Sequence, residues 1–207
     1  MKRKLLIFDF DGTIADTLPV FHTILEKLAK KYNLKNVQNP ELLRDKSARE
    51  LMKISKVSWW KMPFLIRDAK KELSKQLEQI NIIKDMRELI INLRGENHTV
   101  VILTSNSKAN VEQFLEKHEL KEHIDTVYGD VGIFGKAKKI DKAIKDQQFQ
   151  KEDVVYIGDE IRDVEASKKV GIKIISVGWG LNTKEKLESV NPKNVVNTPA
   201  EIQSLII

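Results

Sequence analysis

The sequence predicts an α/β fold: a doubly wound, Rossmann-like parallel sheet built from residues 1–16 and 84–207, with residues 17–83 inserted as a small all-helical cap domain. Three observations predict it. Four short runs are largely apolar, three of them at every position and the fourth at all but Lys173 and Ser176, and each ends in a polar, chemically capable segment. Helical patterns alternate with the later runs. Between the first and second runs, by contrast, the chain reads as helices with no strand among them.

The first run, Leu5 to Phe8, stops at Asp9. It is short and uniformly apolar rather than alternating, so it reads as a strand covered on both faces. The insert follows, with helical stretches at Leu18 to Tyr32, Glu41 to Ile54 and Phe64 to Ile80. Val100 to Leu103 forms the second run and leads through Thr104 into a helix over Ser107 to His118. A helix over Lys136 to Gln147 precedes the third run, Val154 to Ile157, which ends at Gly158-Asp159. Ile161 to Val170 is a further helix, closed by Gly171 at the position where a left-handed residue ends a helix. The fourth run, Ile172 to Val177, ends at Gly178; a weak strand at Val195-Val196 and a last helix opening at Thr198-Pro199 finish the chain.

Composition removes several function classes. A chain of 207 residues that is 41% hydrophobic and 32% charged can bury a real core, which excludes a disordered chain or a fibre. No apolar stretch approaches the ~18 residues of a membrane span. After Met1-Lys2-Arg3-Lys4 only four apolar residues precede Asp9, too few for a secretory leader. There is no cysteine, hence no disulfide framework and no thiolate chemistry. A cytoplasmic, membrane-free protein is expected, as monomer or homodimer.

Chemistry gathers where the runs end. Asp9-Phe10-Asp11-Gly12-Thr13 places two carboxylates, one residue apart, at the carboxyl edge of the sheet, where Gly12 lets backbone amides approach a ligand. One carboxylate can attack while the other handles a proton. Asp159 leaves the third run in the same way, with Glu160 and Asp163 behind it. Several carboxylates at one edge repel each other unless a cation intervenes, and hard oxygen ligands suit Mg²⁺. Thr104-Ser105-Asn106-Ser107, at a strand end and a helix start, supplies hydroxyls, an amide and N-terminal N–H groups that favour an anion.

In these residues the chain resembles the haloacid dehalogenase superfamily of phosphohydrolases. Four motifs stand in family order: Asp-x-Asp-Gly-Thr at Asp9 to Thr13, a strand-ending Thr104, a lysine around Lys136, and Gly-Asp-x-x-x-Asp at Gly158 to Asp163. The helical insert after the first motif and the Val177-Gly178-Trp179-Gly180 segment resemble the phosphoglycolate-phosphatase-like branch. The resemblance implies Asp9 as the nucleophile that becomes an aspartyl-phosphate, and Asp11 as acid to the leaving alcohol and then base for water. It also implies Mg²⁺ on Asp9, the Asp11 carbonyl and Asp159, with Asp163 orienting this shell, and a small phosphorylated metabolite as substrate. Thr104, a lysine, and the neighbouring Ser105, Asn106 and Gly12 would hold the phosphoryl group. Lys136, Lys138 and Lys139 compete for the lysine's role, and Lys136 is favoured because it follows Gly135 at the helix mouth. A sugar phosphomutase using the same intermediate is the alternative within the family; a phosphate- or nucleic-acid-binding module without turnover is the alternative outside it.

The net charge of +6 is unevenly placed: the insert holds 14 Lys or Arg against 7 Asp or Glu, the remainder 22 against 23. A basic segment of this kind faces an anion or is a solvated surface. Arg49, Lys61 and Arg67 are the candidates for reading a second anionic group on the substrate, since a guanidinium grips a carboxylate with two parallel bonds. The intact carboxylate site argues against nucleic acid as partner. The four histidines show no metal-ligand spacing, and Trp59-Trp60 reads as packing.

Overall fold

The computed structural model describes residues 2–37, 44–46, 48–132 and 135–206, without the side chains of Ala48, Arg49 and Trp59. The chain divides into two compact units, Met1–Asp16 with Ile82–Ile207, and Thr17–Asn81.

The first unit is built on six strands, β1 (Leu5–Phe8), β4 (Thr99–Leu103), β5 (Thr126–Tyr128), β6 (Val154–Gly158), β7 (Lys173–Val177) and β8 (Val195–Val196), in the order β5-β4-β1-β6-β7-β8. Every pairing is parallel. Central β1 explains its own composition: all four residues are fully buried, because helices cover both faces. Leu5 and Ile7 point into a cluster with Ile140, Ala143 and Ile144 of α6 (Lys136–Asp146) and Val164 and Val170 of α7 (Ile161–Val170). Leu6 and Phe8 must then serve the opposite face, since side chains alternate along a strand.

From β1 the chain builds outward through β4 to β5, then returns across β1 to start β6 and build the other way. That reversal leaves a crevice at the carboxyl ends of β1, β4 and β6, the place where open parallel sheets bind ligands. Helix α7 ends at Gly171, whose φ of +82° is the left-handed conformation a glycine adopts without strain.

Helix α4 (Met86–Gly95) and strand β5 are among the elements that the apolar runs do not announce. Helix α4 buries only Met86, Leu89, Ile90 and Leu93, one stripe of an otherwise polar segment. Strand β5 is three residues long and half-buried at the sheet edge, so its neighbours in sequence disguise it. Helix α5 (Lys108–Lys117) opens at Ser107, whose hydroxyl accepts the Asn110 backbone N–H at 3.2 Å. The C-terminal part adds α8 (Lys184–Glu188) and α9 (Pro199–Ile206); α9 packs beside α4. A separate two-stranded sheet joins β2 (Ala15–Asp16) and β3 (Asn81–Ile82).

The second unit holds α1 (Leu18–Tyr32), α2 (Ala48–Ser55) and α3 (Met62–Ser74). Helix α1 spans the anticipated residues and packs on α3. Part of the stretch anticipated as a helix over Glu41 to Ile54 lies outside the described residues; α2 continues it one residue further, to Ser55. Helix α3 starts earlier than anticipated because Pro63 occupies its first turn, where no N–H is needed, and it stops at Ser74 before a short 3₁₀ turn at Leu77–Gln79. Leu34 and Val37 close this unit's core against Leu25, Ala29, Leu51, Ile54 and Leu65.

Asp68 of α3 ties the unit together. It is 7% exposed and accepts from Lys31 Nζ at 2.5 Å, Tyr32 Oη at 2.7 Å, and Arg67 Nε and Nη2 at 3.2 Å each. The hydrogen bonds from Lys31 and Tyr32 hold its carboxyl below the usual carboxylate range. A depressed folded-state pKa contributes stability above the unfolded value of ~3.9 that is lost as pH falls through the folded one. The Asp68→Asn variant is therefore expected to lower the insert's stability at neutral pH and to flatten its dependence on acid. Tryptophan fluorescence during acid titration checks this; an unchanged acid midpoint in the variant would refute it.

Candidate active site

Asp9 continues β1 by one residue, its N–H donating to the Ile157 carbonyl at 2.8 Å, so the strand ladder itself delivers the carboxylate to the crevice. One carboxylate oxygen, Oδ1, accepts the Phe10 backbone N–H at 2.8 Å and the other, Oδ2, accepts Lys136 Nζ at 2.7 Å. The chain then turns tightly, with the N–H groups of Thr13, Ile14 and Ala15 all directed at the Phe10 carbonyl. Gly12 makes the turn at φ +76°, and a Cβ there would lie 2.3 Å from Asp159 Oδ2, so the position demands glycine for two reasons.

Asp159 follows β6 and is fully buried. Thr13 Oγ1 donates to its Oδ1 at 2.9 Å and the Leu181 N–H to its Oδ2 at 2.6 Å. Gly180 lets that second loop close: a Cβ would sit 2.2 Å from the Cβ of Asp159. Asp163 spends both oxygens. Oδ1 accepts Lys136 Nζ, and Oδ2 accepts the Glu160 backbone N–H at 3.0 Å, while the Glu160 carboxylate caps the Asp163 N–H in return. Carboxylate oxygens of Asp9, Asp159 and Asp163 lie within 4.8 Å of one another.

Of the three competing lysines, the structure brings Lys136 to these carboxylates. It is the first residue of α6, only 4% exposed, bridging Asp9 and Asp163 with its ammonium 5.5 Å above the Tyr156 ring. Lys138 is exposed and Lys139 half-buried. Burial alone would pull the Lys136 ammonium down, but the charges of Asp163 and Asp9 more than reverse this and hold it protonated.

Asp11 stands apart from that cluster. Asn106 Nδ2 donates to its Oδ1 at 3.2 Å, and Thr104 Oγ1 reaches its Oδ2 at 3.5 Å. Crowding by protein atoms, then the charge of Asp9, push its carboxyl up to about 7, against the opposing Asn106 bond. Thr104 also accepts the Asn106 N–H at 3.0 Å, and Asn106 Oδ1 accepts from the Ser107 N–H at 2.8 Å and Asn110 Nδ2 at 3.0 Å. Thr104 and Asn106 are buried beside Asp11, whereas Ser105 is half-buried. Burial raises Asp159 well above the carboxylate range and Asp163 to about 6, the latter despite Lys136. Five carboxylates with Glu160 therefore face Lys136 and Arg162, an arrangement rich in negative charge.

The insert's candidates divide differently. Arg67 is spent on Asp68 and lies over the Phe64 ring at 5.5 Å; Lys61 lies over Trp60 at 5.3 Å. The Arg49 side chain is outside the described residues. Sequence reasoning gave no site role to Gly180, quoted only for the family resemblance, nor to Leu181, Tyr156 and Arg162. Gly180 and Leu181 serve through space and backbone, for which no side-chain signal exists, and Tyr156 is disguised as one more apolar position of a buried strand.

The family model for haloacid dehalogenase-like hydrolases matches residues 6–177, from β1 to the end of β7. The chain belongs to that family. It is 29% identical over 199 residues to a phosphoglycolate phosphatase of Synechococcus elongatus, covering 95% of this chain and 94% of that one. It is 20% identical over 210 residues to the pyrophosphatase PpaX of Oceanobacillus iheyensis, covering 100% and 98%. A solved structure of a predicted phosphatase from Clostridium acetobutylicum superposes with a TM-score of 0.86 at 20% identity, over 100% of this chain and 99% of that one, a likeness of fold. As a member, the chain is a hydrolase with the family's α/β sheet.

Proposed function

We propose that this chain is a Mg²⁺-dependent phosphatase that hydrolyses a small phosphomonoester in the cytoplasm through an aspartyl-phosphate on Asp9. The observation that carries the reading is Asp9 itself: a buried carboxylate at the sheet's carboxyl edge, with Lys136 Nζ 2.7 Å from one oxygen and Asp11 two residues away on the turn. Asp9 attacks phosphorus; the bond to the alcohol oxygen breaks, and Asp11 gives that oxygen its proton. Asp11 then takes a proton from water, whose oxygen attacks the same phosphorus and returns Asp9 as a free carboxylate. Thr104 and Asn106 hold Asp11 in place for both transfers, and Lys136 offsets charge on Asp9 and the phosphoryl oxygens.

The donor set fits a hard divalent cation. It consists of carboxylate oxygens, with neither sulfur nor nitrogen, gathered within 4.8 Å and only partly neutralised by Lys136. Asp9, the Asp11 carbonyl and Asp159 would hold Mg²⁺, and Asp163, both of its oxygens already engaged, would fix Lys136 and the α7 entry. When bound, the ion supplies positive charge between carboxylates and phosphate. The relatives' names support a substrate whose phosphoryl group lies close to another anionic group, a carboxylate in phosphoglycolate or a second phosphoryl group in pyrophosphate.

Exhaustive EDTA treatment is expected to abolish hydrolysis of phosphoglycolate and of p-nitrophenyl phosphate, and added Mg²⁺ to restore both. Undiminished phosphate release after chelation would overturn the metal assignment. Failure of the Mg²⁺-supplemented protein on a broad set of phosphomonoesters would overturn the phosphatase reading.

A further inference from the structure

Arg162 is a charged group near the reacting carboxylates to which the proposed reaction gives no task. It stands on the first turn of α7, one residue before Asp163, and its positive charge acts on Asp9, Asp163 and Asp11. Nη2 donates to Glu160 Oε1 at 2.5 Å. Nε is shut off from solvent and has no hydrogen-bond partner, while the side chain as a whole keeps 30% of its surface exposed. A guanidinium presents Nε and Nη2 side by side as a fork for a planar or tetrahedral anion. Here Glu160 meets one prong only. Buried donors without acceptors are rare in native proteins, and one beside a ligand site marks an unmet hydrogen bond.

We propose that Arg162 is a specificity-determining residue that binds a second anionic group of the substrate, a carboxylate or phosphoryl group carried by the leaving group. The assignment rests on the phosphatase reading and refines it. It places recognition of that anion in the same unit as Asp9 rather than on the basic insert, whose Arg67 is already bonded to Asp68. A substrate anion that draws the guanidinium away from Glu160 meets Nε–H and Nη2–H together as a charge-assisted pair, whereas a neutral leaving group gains neither. Glu160 would keep the guanidinium extended between turnovers, and its negative charge would favour exchange for the substrate over permanent occupation by stray anions.

The test compares phosphoglycolate and p-nitrophenyl phosphate in the Mg²⁺-loaded enzyme and in Arg162→Gln, Arg162→Lys, Lys61→Ala and Arg67→Ala variants. Arg162→Gln is expected to lose roughly 10- to 100-fold in kcat/KM on phosphoglycolate, mostly through KM, the scale of a hydrogen bond to a charged group. Its loss on the aryl phosphate should be smaller by about tenfold or more, and Arg162→Lys should recover part of the phosphoglycolate loss by returning the charge. Equal losses on both substrates would overturn the inference by making Arg162 a general support of the site. A selective loss in Lys61→Ala or Arg67→Ala with none in Arg162→Gln would overturn it by returning the role to the insert. Neither outcome touches the phosphatase reading, which falls only if the unaltered Mg²⁺-supplemented enzyme turns over none of a broad set of phosphomonoesters.

Discussion

Asp9→Asn is expected to lower turnover by at least ~10⁴-fold, the scale of removing a covalent nucleophile, while the protein still folds. An amide nitrogen or oxygen does not form the oxygen–phosphorus bond of an acyl phosphate that the carboxylate forms, yet the side chain keeps almost the same volume in a position only 2% exposed. The fold should tolerate the change because Asp9 stands among carboxyls that mutual repulsion and burial already push upward, those of Asp11, Asp159 and Asp163. Removing one negative charge relieves that repulsion, and the amide oxygen still accepts from Lys136. Acid quenching of single-turnover reactions gives the direct readout: a phosphorylated chain in the unaltered protein and none in the variant. Retained turnover, or a phosphorylated species of equal yield in Asp9→Asn, would sink the mechanism.

Lys136→Ala is expected to damage both chemistry and stability. It removes the ammonium that neutralises Asp9 and Asp163, each 2% exposed or less, and breaking a buried ion pair from one side costs about 3–5 kcal/mol because the remaining charges lose their partner. Loss of a charge-stabilising donor in a closed site lowers kcat by about 10²-fold or more. Lys138→Ala and Lys139→Ala change surface-facing positions of α6 and should stay within about 0.5 kcal/mol of the unaltered protein. Denaturant midpoints and kcat measured on the three variants separate these outcomes. A severe Lys139→Ala beside a mild Lys136→Ala would contradict the observed geometry.

The strands that position the site were legible because the sheet is covered on both faces, which makes β1, β4 after Thr99, and β6 up to Gly158 continuous hydrophobic or aromatic runs. Helix α1 was legible in full for a related reason, a regular apolar stripe of Val20, Ile24 and Leu28. Edge strand β5 was not, since three half-buried residues carry no such constraint. Helix α3 was read as longer than it is, because apolar residues continue past Ser74 into a 3₁₀ turn that uses the same side chains in a different hydrogen-bond pattern.

By itself the sequence determined the class of chemistry: Asp9, Asp11, Thr104 and Asp159 each close a buried strand or its turn, so any parallel sheet formed from those runs delivers them to one edge. What the tertiary structure decided is who partners whom there. Lys136, Lys138 and Lys139 differ by less than one helical turn, and only the packing of α6 against α7 chooses which ammonium is buried between Asp9 and Asp163. The same holds for Gly180 and Leu181, brought onto Asp159 from more than twenty residues away. Residue type and spacing report local backbone geometry and burial, but a hydrogen bond between distant segments depends on how two loops close over each other, and that is a property of the folded sheet edge alone.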